Sequence, residues 1–266
     1  MNNIIVDNYL IEEIKILKNS IELTLKDDSS NEFIGVIKNS LDLFEKTYKE
    51  RDYVFCKSRI RKRRDKEVLD IIQIKKNSNE STVDRDFYIK KFEVLMSEIK
   101  DKDYKILLKN VFDNDEIRED FYTYPATIGL NHSYKYGLLQ HTVEVTETSL
   151  LLGEYYKDID LDLLSTGALL HDIGKLQSFD YDDSNSRVIE TDWERLLGHL
   201  SISSLYISKA VPENIDSHKA MILYHLILSY REENSPIEVQ MKESFLLNQA
   251  NNISKELNLR EWYVER

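Results

Sequence analysis

Apolar and polar positions alternate in short runs over the first 75 residues, a pattern typical of half-buried β-strands. In IELTLKDDSSNEFIGVIKNS, apolar and β-branched residues flank a DDSSN turn, which predicts a hairpin. A short helical pattern, LDLFEKTYK, is followed by two further alternating runs, YVFCKSRIRK and EVLDIIQIK. Four or five strands and a short helix in about 75 residues predict a small OB-like β-barrel.

The pattern becomes helical after a polar segment, KKNSNESTVDRD, which has no periodicity and is interpreted as a linker. Apolar positions then recur at intervals of three and four, as in FYIKKFEVLMSEIK and LLQHTVEVTETSLLLGEYY. We therefore predict an α+β protein of two domains, with the barrel at 1–75, the linker at 76–86 and an all-α helical bundle at 87–266.

The composition of the chain indicates where the protein acts and which residue types could bind a metal. The chain has 266 residues, of which 41% are hydrophobic, so it can form a real core. It has no uncharged apolar run of the roughly 18 residues that a membrane span needs, and its first residues include acids where a signal peptide has an apolar run. A single cysteine, Cys56, fits a reducing compartment. We expect a cytoplasmic protein without a membrane partner, in which His, Asp or Glu would hold any metal.

One basic run stands out against a formal net charge of −12. The segment KSRIRKRRDK, at 57–66, has seven basic residues among ten. Period-two alternation puts Lys57, Arg59 and Arg61 on one face of a strand, with Arg63 and Arg64 at its end. This face predicts contact with single-stranded RNA or DNA, because OB-folds bind single strands on such faces. The alternative is a solvated edge strand with a basic turn.

The histidines predict a different site in the helical half. All six lie between His132 and His225, and four of them are flanked by leucine or isoleucine residues that should face the core. A helical bundle can gather such side chains from separate helices into one interior site, where imidazole and carboxylate suit Mn, Fe, Co, Ni or Zn. Each histidine alone would be better interpreted as a hydrogen-bonded core residue. The order and spacing of all four histidines along the chain indicate a metal site more specifically than any one histidine does.

GLLQH, LLHDIGK and LLGHLSIS resemble the successive motifs of the HD-domain metal-dependent phosphohydrolases. Within that superfamily, the stretch from YPATIGLNH to HLILS is similar to the YhaM-type 3′-5′ exoribonucleases, which place an OB-fold ahead of an HD domain. The HD core would lie at about 130–255. The resemblance implies a metal-dependent exonuclease that hydrolyses phosphodiester bonds of single-stranded RNA, or also DNA, to nucleoside monophosphates.

The resemblance also implies roles for individual residues. Asp172 would orient or deprotonate the attacking water, Lys175 would lie beside the phosphate, and His132 would contact substrate. The implied metal ligands are His141, His171, Asp172, His199 and His225, with Asn251 at the position of the last ligand. The cofactor would be one or two divalent transition-metal ions, Mn before Co, Ni or Fe.

Three departures from the family pattern keep other functions open. Asn251 stands where the family has an aspartate, and Tyr230 and Arg231 stand where it has two histidines. An asparagine oxygen can coordinate a metal but brings no charge. Two alternatives are a nucleotide phosphohydrolase, which would not need the basic barrel, and a nucleic-acid-binding regulator with a degenerate HD site. Homo-oligomerisation also stays open.

Overall fold

The computed structural model describes eight stretches of the chain: 4–27, 30–38, 48–63, 66–76, 83–128, 131–182, 187–230 and 237–260. The predicted short helix at 41–49 falls largely outside them, as does Arg64. The chain forms two compact units that divide between Ser78 and Asn79, and the first helix already begins at Arg85. The two-domain α+β layout, with the strands first and the helices after them, is confirmed.

Five strands form the first unit. They are β1 (Ile4–Leu17), β2 (Ser20–Lys26), β3 (Glu32–Lys38), β4 (Tyr53–Arg63) and β5 (Lys66–Lys76). The pairings follow the cyclic order β1-β2-β3-β5-β4, and β4 returns to β1. All pairs are antiparallel except β3 with β5, which join in parallel over only three residue pairs. The sheet is therefore a barrel-like cycle that is weakly joined between β3 and β5.

The alternation in the sequence becomes the inside and outside of this sheet. On β2, Ile21, Leu23 and Leu25 are fully buried, and the residues between them are half-buried. On β4, Val54 and Cys56 point into the same apolar cluster. Period-two patterning therefore fixed the register of these strands, because a one-residue shift would expose this whole apolar set.

Helices dominate the second unit. They are α1 (Arg85–Glu98), α2 (Lys102–Phe112), α3 (Asp115–Thr123), α4 (Gly137–Tyr155), α5 (Leu161–Leu170), α6 (Lys175–Ser178), α7 (Asp192–Ala210), α8 (Ser217–Ser229) and α9 (Lys242–Arg260). Asp101 and Asp160 start α2 and α5 by accepting hydrogen bonds from backbone N–H groups of the first turn. The unit is not wholly helical, because β6 (Phe179–Asp182) and β7 (Arg187–Glu190) form a hairpin that was not predicted.

The core of the helical unit includes buried residues of α4, α5 and α8. The last residues of α5, Leu169 and Leu170, are fully buried. Gly167 lets α8 approach α5 closely, since an added Cβ would lie 2.1 Å from a methyl group of Leu226. The chain leaves α5 at the centre of the domain, so the residues that follow it are carried inward. Among the described residues, no helix has both the length and the apolar character needed to cross a bilayer.

Candidate metal centre

Three predicted ligands converge in the core of the helical unit. His141 lies in the second turn of α4, and His171 and Asp172 follow directly after α5. The Nε2 atoms of His141 and His171 are 3.4 Å apart and lie 3.4 and 3.2 Å from Asp172 Oδ2. All three side chains are buried. Ligand atoms that share one ion through bonds of about 2.0–2.2 Å have spacings of this size.

Hydrogen bonds behind the two imidazoles determine which nitrogen faces the centre. His171 Nδ1 lies 2.7 Å from the carbonyl oxygen of Ala168, which can only accept. His141 Nδ1 lies 3.0 Å from Ser254 Oγ, and the Ser254 hydroxyl donates to Glu144 Oε2 at 2.7 Å. The Nδ1 atoms are therefore the donors. When both rings are neutral, their Nε2 lone pairs point toward Asp172, and a cation between these atoms would satisfy them.

Asp172 is surrounded by donors on both of its oxygens. Oδ2 accepts a hydrogen bond from Lys175 Nζ at 2.5 Å, and Oδ1 accepts one from the Tyr230 hydroxyl at 3.1 Å. Burial alone raises the pKa of the carboxyl, but His171 and the Lys175 ammonium group outweigh it and hold the pKa well below its usual range. Burial also lowers the pKa of His141 well below its usual value. An ionised carboxylate beside a neutral imidazole is the form in which both bind metals.

His199 reaches the other side of Asp172. Its Nε2 lies 3.6 Å from Asp172 Oδ1, and its Nδ1 lies 3.0 Å from Glu194 Oε1. Gly198 interrupts α7 with a φ of 72°, which a glycine adopts without strain, and this kink sets the direction of His199. Burial lowers the pKa of His199, which favours the neutral ring.

The turn that carries the His-Asp pair packs directly on α7. The Gly174 backbone N–H donates to Ser203 Oγ, and the Ser203 hydroxyl donates to the His171 carbonyl. A Cβ on Gly174 would lie 2.3 Å from the His199 carbonyl oxygen. The motif HDIGK therefore needs its glycine for this close contact.

Asn251 adds an observation that favours a cation. The side chain is 1% exposed, and its Oδ1 has no hydrogen-bond partner among the described residues. It lies three positions before Ser254 on α9, so both share the helix face that reaches His141. A buried amide oxygen without a partner costs about 1–3 kcal/mol, and a metal ion would satisfy it. With the imidazole and carboxylate donors, these residues fit a divalent transition-metal ion.

Two predicted site residues make other contacts. His225, on α8, is half-buried, and its Nε2 accepts a hydrogen bond from the Gln240 backbone at 3.2 Å. His132 is fully buried beside His141, with its Nε2 3.1 Å from Glu144 Oε2. The substrate contact predicted for His132 stays a prediction, and its position is that of a residue that orients Glu144.

The sequence interpretation missed the residues that orient the imidazoles. Glu144, Ser254 and Glu194 belong to no motif that was recognised. One signal was available, because Glu144 lies three residues after His141 and so shares its face of α4. Hydrogen bonds to His132 and Ser254 hold the pKa of Glu144 below its usual value, against the opposing effect of burial.

A cavity of about 360 Å³ opens onto the centre. Its walls include His141, Lys175, Glu194 and His199. Phe179 and Lys255 lie in the same wall, so an aromatic ring and two ammonium groups face one space. This combination suits a ligand that has both a phosphate and a flat apolar part.

The basic strand has the predicted alternation. Cys56 and Ser58 are fully buried, whereas Lys57 is half-buried and Arg59 and Arg61 are exposed. Arg61 forms an ion pair with Asp70 on β5 at 3.0 Å. The side chains of Arg63 and Arg64 lie outside the described part of the chain.

Comparison with known proteins finds matches to the helical unit. The family model of the HD domain matches residues 138–256, which include every predicted metal ligand. The 3′-5′ exoribonuclease YhaM of Bacillus subtilis is 35% identical over 151 residues, 55% of this chain and 47% of that protein. The protein of the same name from Bacillus licheniformis is 34% identical over 152 residues, 56% and 48% of the two chains. The chain matches about half the length of these curated relatives.

Proposed function

We propose that this protein, whose residues 138–256 match the family model of the HD domain, is a metal-dependent 3′-5′ exonuclease that hydrolyses single-stranded RNA to nucleoside monophosphates. The observation that carries the proposal is the buried group of His141, His171 and Asp172, whose ligand atoms lie within 4.8 Å of one another. The names of the similar proteins support the direction of cleavage and the RNA substrate.

A divalent ion would be held by Asp172, His141, His171 and Asn251. We propose Mn as the preferred metal, ahead of Co, Ni or Fe. When bound, such an ion acts as a Lewis acid on a phosphoryl oxygen and lowers the pKa of a coordinated water. Lys175 and Lys255 bind the phosphate from the cavity wall, and the Lys175 ammonium group offsets negative charge that develops there. His199 is held by Glu194 with its Nε2 as a hydrogen-bond acceptor, so it orients a water at that atom.

The dimensions of the cavity favour cleavage at a chain end. Its volume of about 360 Å³ is near the lower end of the roughly 300–1,000 Å³ of ligand pockets. One nucleotide fits such a space, with its base against Phe179 and its phosphate at Lys175. A terminal nucleotide that enters the cavity would be released as a monophosphate.

The strand unit is proposed to be an OB-like domain that binds the rest of the strand. Lys57, Arg59 and Arg61 supply positive charge on one face of β4, and Arg63 and Arg64 extend the run in sequence. Single-stranded DNA is an alternative substrate, because contacts to phosphate groups do not distinguish DNA from RNA. The buried Cys56 suits the reducing cytoplasm in which we propose the protein acts.

The test uses purified protein, Mn²⁺ and single-stranded RNA labelled at its 5′ end. We expect labelled products that shorten progressively from the 3′ end, and no shortening with Asp172→Ala. Asp113→Ala, which changes an exposed aspartate at the end of α2, is the matched control and should retain the activity. If the wild type and Asp172→Ala leave the same intact RNA, the proposal is wrong.

A nucleotide phosphohydrolase is the second candidate, and the small cavity favours it. The basic strand separates the two functions, because a nucleotidase does not need it. Arg59→Ala should raise the KM for RNA if the strand unit binds the polymer, whereas Lys18→Ala, at an exposed turn of the same unit, should not. A free nucleotide that is hydrolysed faster than RNA, with a rate that Arg59→Ala does not change, would favour the nucleotidase.

A further inference from the structure

The two oxygens of Asp172 have different surroundings. Oδ2 faces the Nε2 atoms of His141 and His171, which are the nitrogens turned toward the centre. Oδ1 faces the Tyr230 hydroxyl at 3.1 Å and His199 Nε2 at 3.6 Å. In two-metal sites the ions lie about 3.5–4 Å apart, and a carboxylate that bridges them through both oxygens offers one oxygen to each. The contacts of Oδ1 therefore decide whether Asp172 can bridge two ions in this way.

Tyr230 is fixed beside this oxygen. It follows directly after the last residue of α8 and is 1% exposed. Its ring packs edge-on against the His171 ring, with centroids 5.3 Å apart and an interplanar angle of 88°. The Tyr230 hydroxyl is the donor of their hydrogen bond, and Asp172 Oδ1 is the acceptor. The phenol thus supplies to Oδ1 the positive end of a dipole in the place of a cation.

The remaining donors do not assemble a second ligand set. His225 turns its Nε2 to the Gln240 backbone N–H. Within the described part of the chain, His141, His171 and Asp172 are the only group of three or more His, Cys, Asp or Glu residues whose ligand atoms all lie within 4.8 Å of one another. His199 alone would be left to share an ion with Oδ1.

The charges at the centre also favour a single ion. Asp172 is the only carboxylate in that group, and the Lys175 ammonium group is already hydrogen-bonded to it. Asn251 is neutral, so it does not offset the charge of a further ion. Two divalent ions held at one carboxylate would repel each other strongly, since Asp172 offers a single negative charge between them.

We infer that the centre holds one divalent ion, and that the Tyr230 hydroxyl takes the place of a second ion at Asp172 Oδ1. This inference rests on the metal centre of the proposed function, but it concerns how many ions the centre binds and not which reaction it performs. It makes Tyr230 a positioning residue, which holds Asp172 so that Oδ2 faces the two imidazoles.

The experiment measures bound Mn²⁺ per chain by equilibrium dialysis and the electron paramagnetic resonance spectrum of the bound ion. The wild-type protein should bind one Mn²⁺, with the hyperfine spectrum of an isolated ion. Tyr230→His replaces the phenol with a metal ligand and should raise the number to two, with the spectrum of an exchange-coupled pair. Tyr230→Phe removes only the donor and should add a second, weaker binding phase. Tyr104→Phe is the matched control, because this buried hydroxyl has no partner among the described residues.

The outcomes separate the inference from the proposed function. Two tightly bound ions in the wild type would overturn the inference and leave the metal centre intact. No bound ion in the wild type would overturn both. A folded Tyr230→His variant that still binds one ion would overturn the role of Tyr230. If that variant does not fold, Tyr230→Phe decides the role of Tyr230, and a folded Tyr230→Phe variant without a second binding phase would overturn it.

Discussion

Ser254→Ala tests how the protein prepares His141 for a metal. Ser254 is 3% exposed and connects His141 Nδ1, at 3.0 Å, to Glu144 Oε2, at 2.7 Å. Without its oxygen the buried Nδ1–H of His141 loses its acceptor. The proton can then move to Nε2, which replaces the lone pair that faces Asp172 with an N–H group.

The contacts around Ser254 determine how much stability and metal affinity Ser254→Ala should lose. Glu144 keeps its contacts with Gln140 and His132, so the unsatisfied group is His141 Nδ1–H. Leaving one buried donor unpaired costs about 1–3 kcal/mol of folding stability. Loss of a partner behind a ligating histidine typically weakens metal binding by about 10–100-fold, which is roughly 1.4–2.8 kcal/mol.

The assay is a Mn²⁺ titration by isothermal calorimetry, with denaturant unfolding of the metal-free protein beside it. Ser149→Ala is the matched control, since Ser149 is equally buried on α4 and its hydroxyl has no partner among the described residues. The control should leave Mn²⁺ affinity unchanged and stability unchanged or slightly higher. Affinity of Ser254→Ala within about twofold of the wild type, with a normal control, would refute the reasoning on His141.

Three further changes have definite expected results. Asn251→Asp adds a negative charge at the centre and should tighten Mn²⁺ binding by about tenfold or more, measured by the same titration. Gly174→Ala should destabilise the fold by about 1–3 kcal/mol or more in denaturant unfolding, because its Cβ would press on the His199 carbonyl oxygen. The folded-state pKa of Glu144 is lowered, so its contribution to stability is present above its unfolded pKa, near 4.5, and is lost as pH falls through the folded value. The stability difference between wild type and Glu144→Gln should therefore shrink at acidic pH, and a difference that grows there would contradict the assignment.

The sequence was informative where periodicity and motif coincide. Two buried leucines before His171 and Asp172 indicated that this pair points into the core, and alternation on β4 indicated which basic side chains share a face. Both are local patterns, and local geometry alone sets where the side chains point.

Contacts between distant segments could not be predicted in the same way. Ser254 lies 113 residues after His141, and Tyr230 lies 58 residues after Asp172, so their contacts depend on how α8 and α9 pack. Periodicity placed His225 on an apolar helix, but the structure brings Tyr230 to Asp172 instead. The hairpin of β6 and β7 was missed because strands of four residues are too short to show a clear period.

The most direct test of the metal centre compares Mn²⁺ binding by the wild type, Asp172→Ala and Asp113→Ala in equilibrium dialysis. The account predicts one tightly bound ion in the wild type and in Asp113→Ala, and its loss in Asp172→Ala. Wild-type protein that binds no Mn²⁺, Co²⁺, Ni²⁺ or Zn²⁺, or an Asp172→Ala variant that binds as tightly as the wild type, would contradict it.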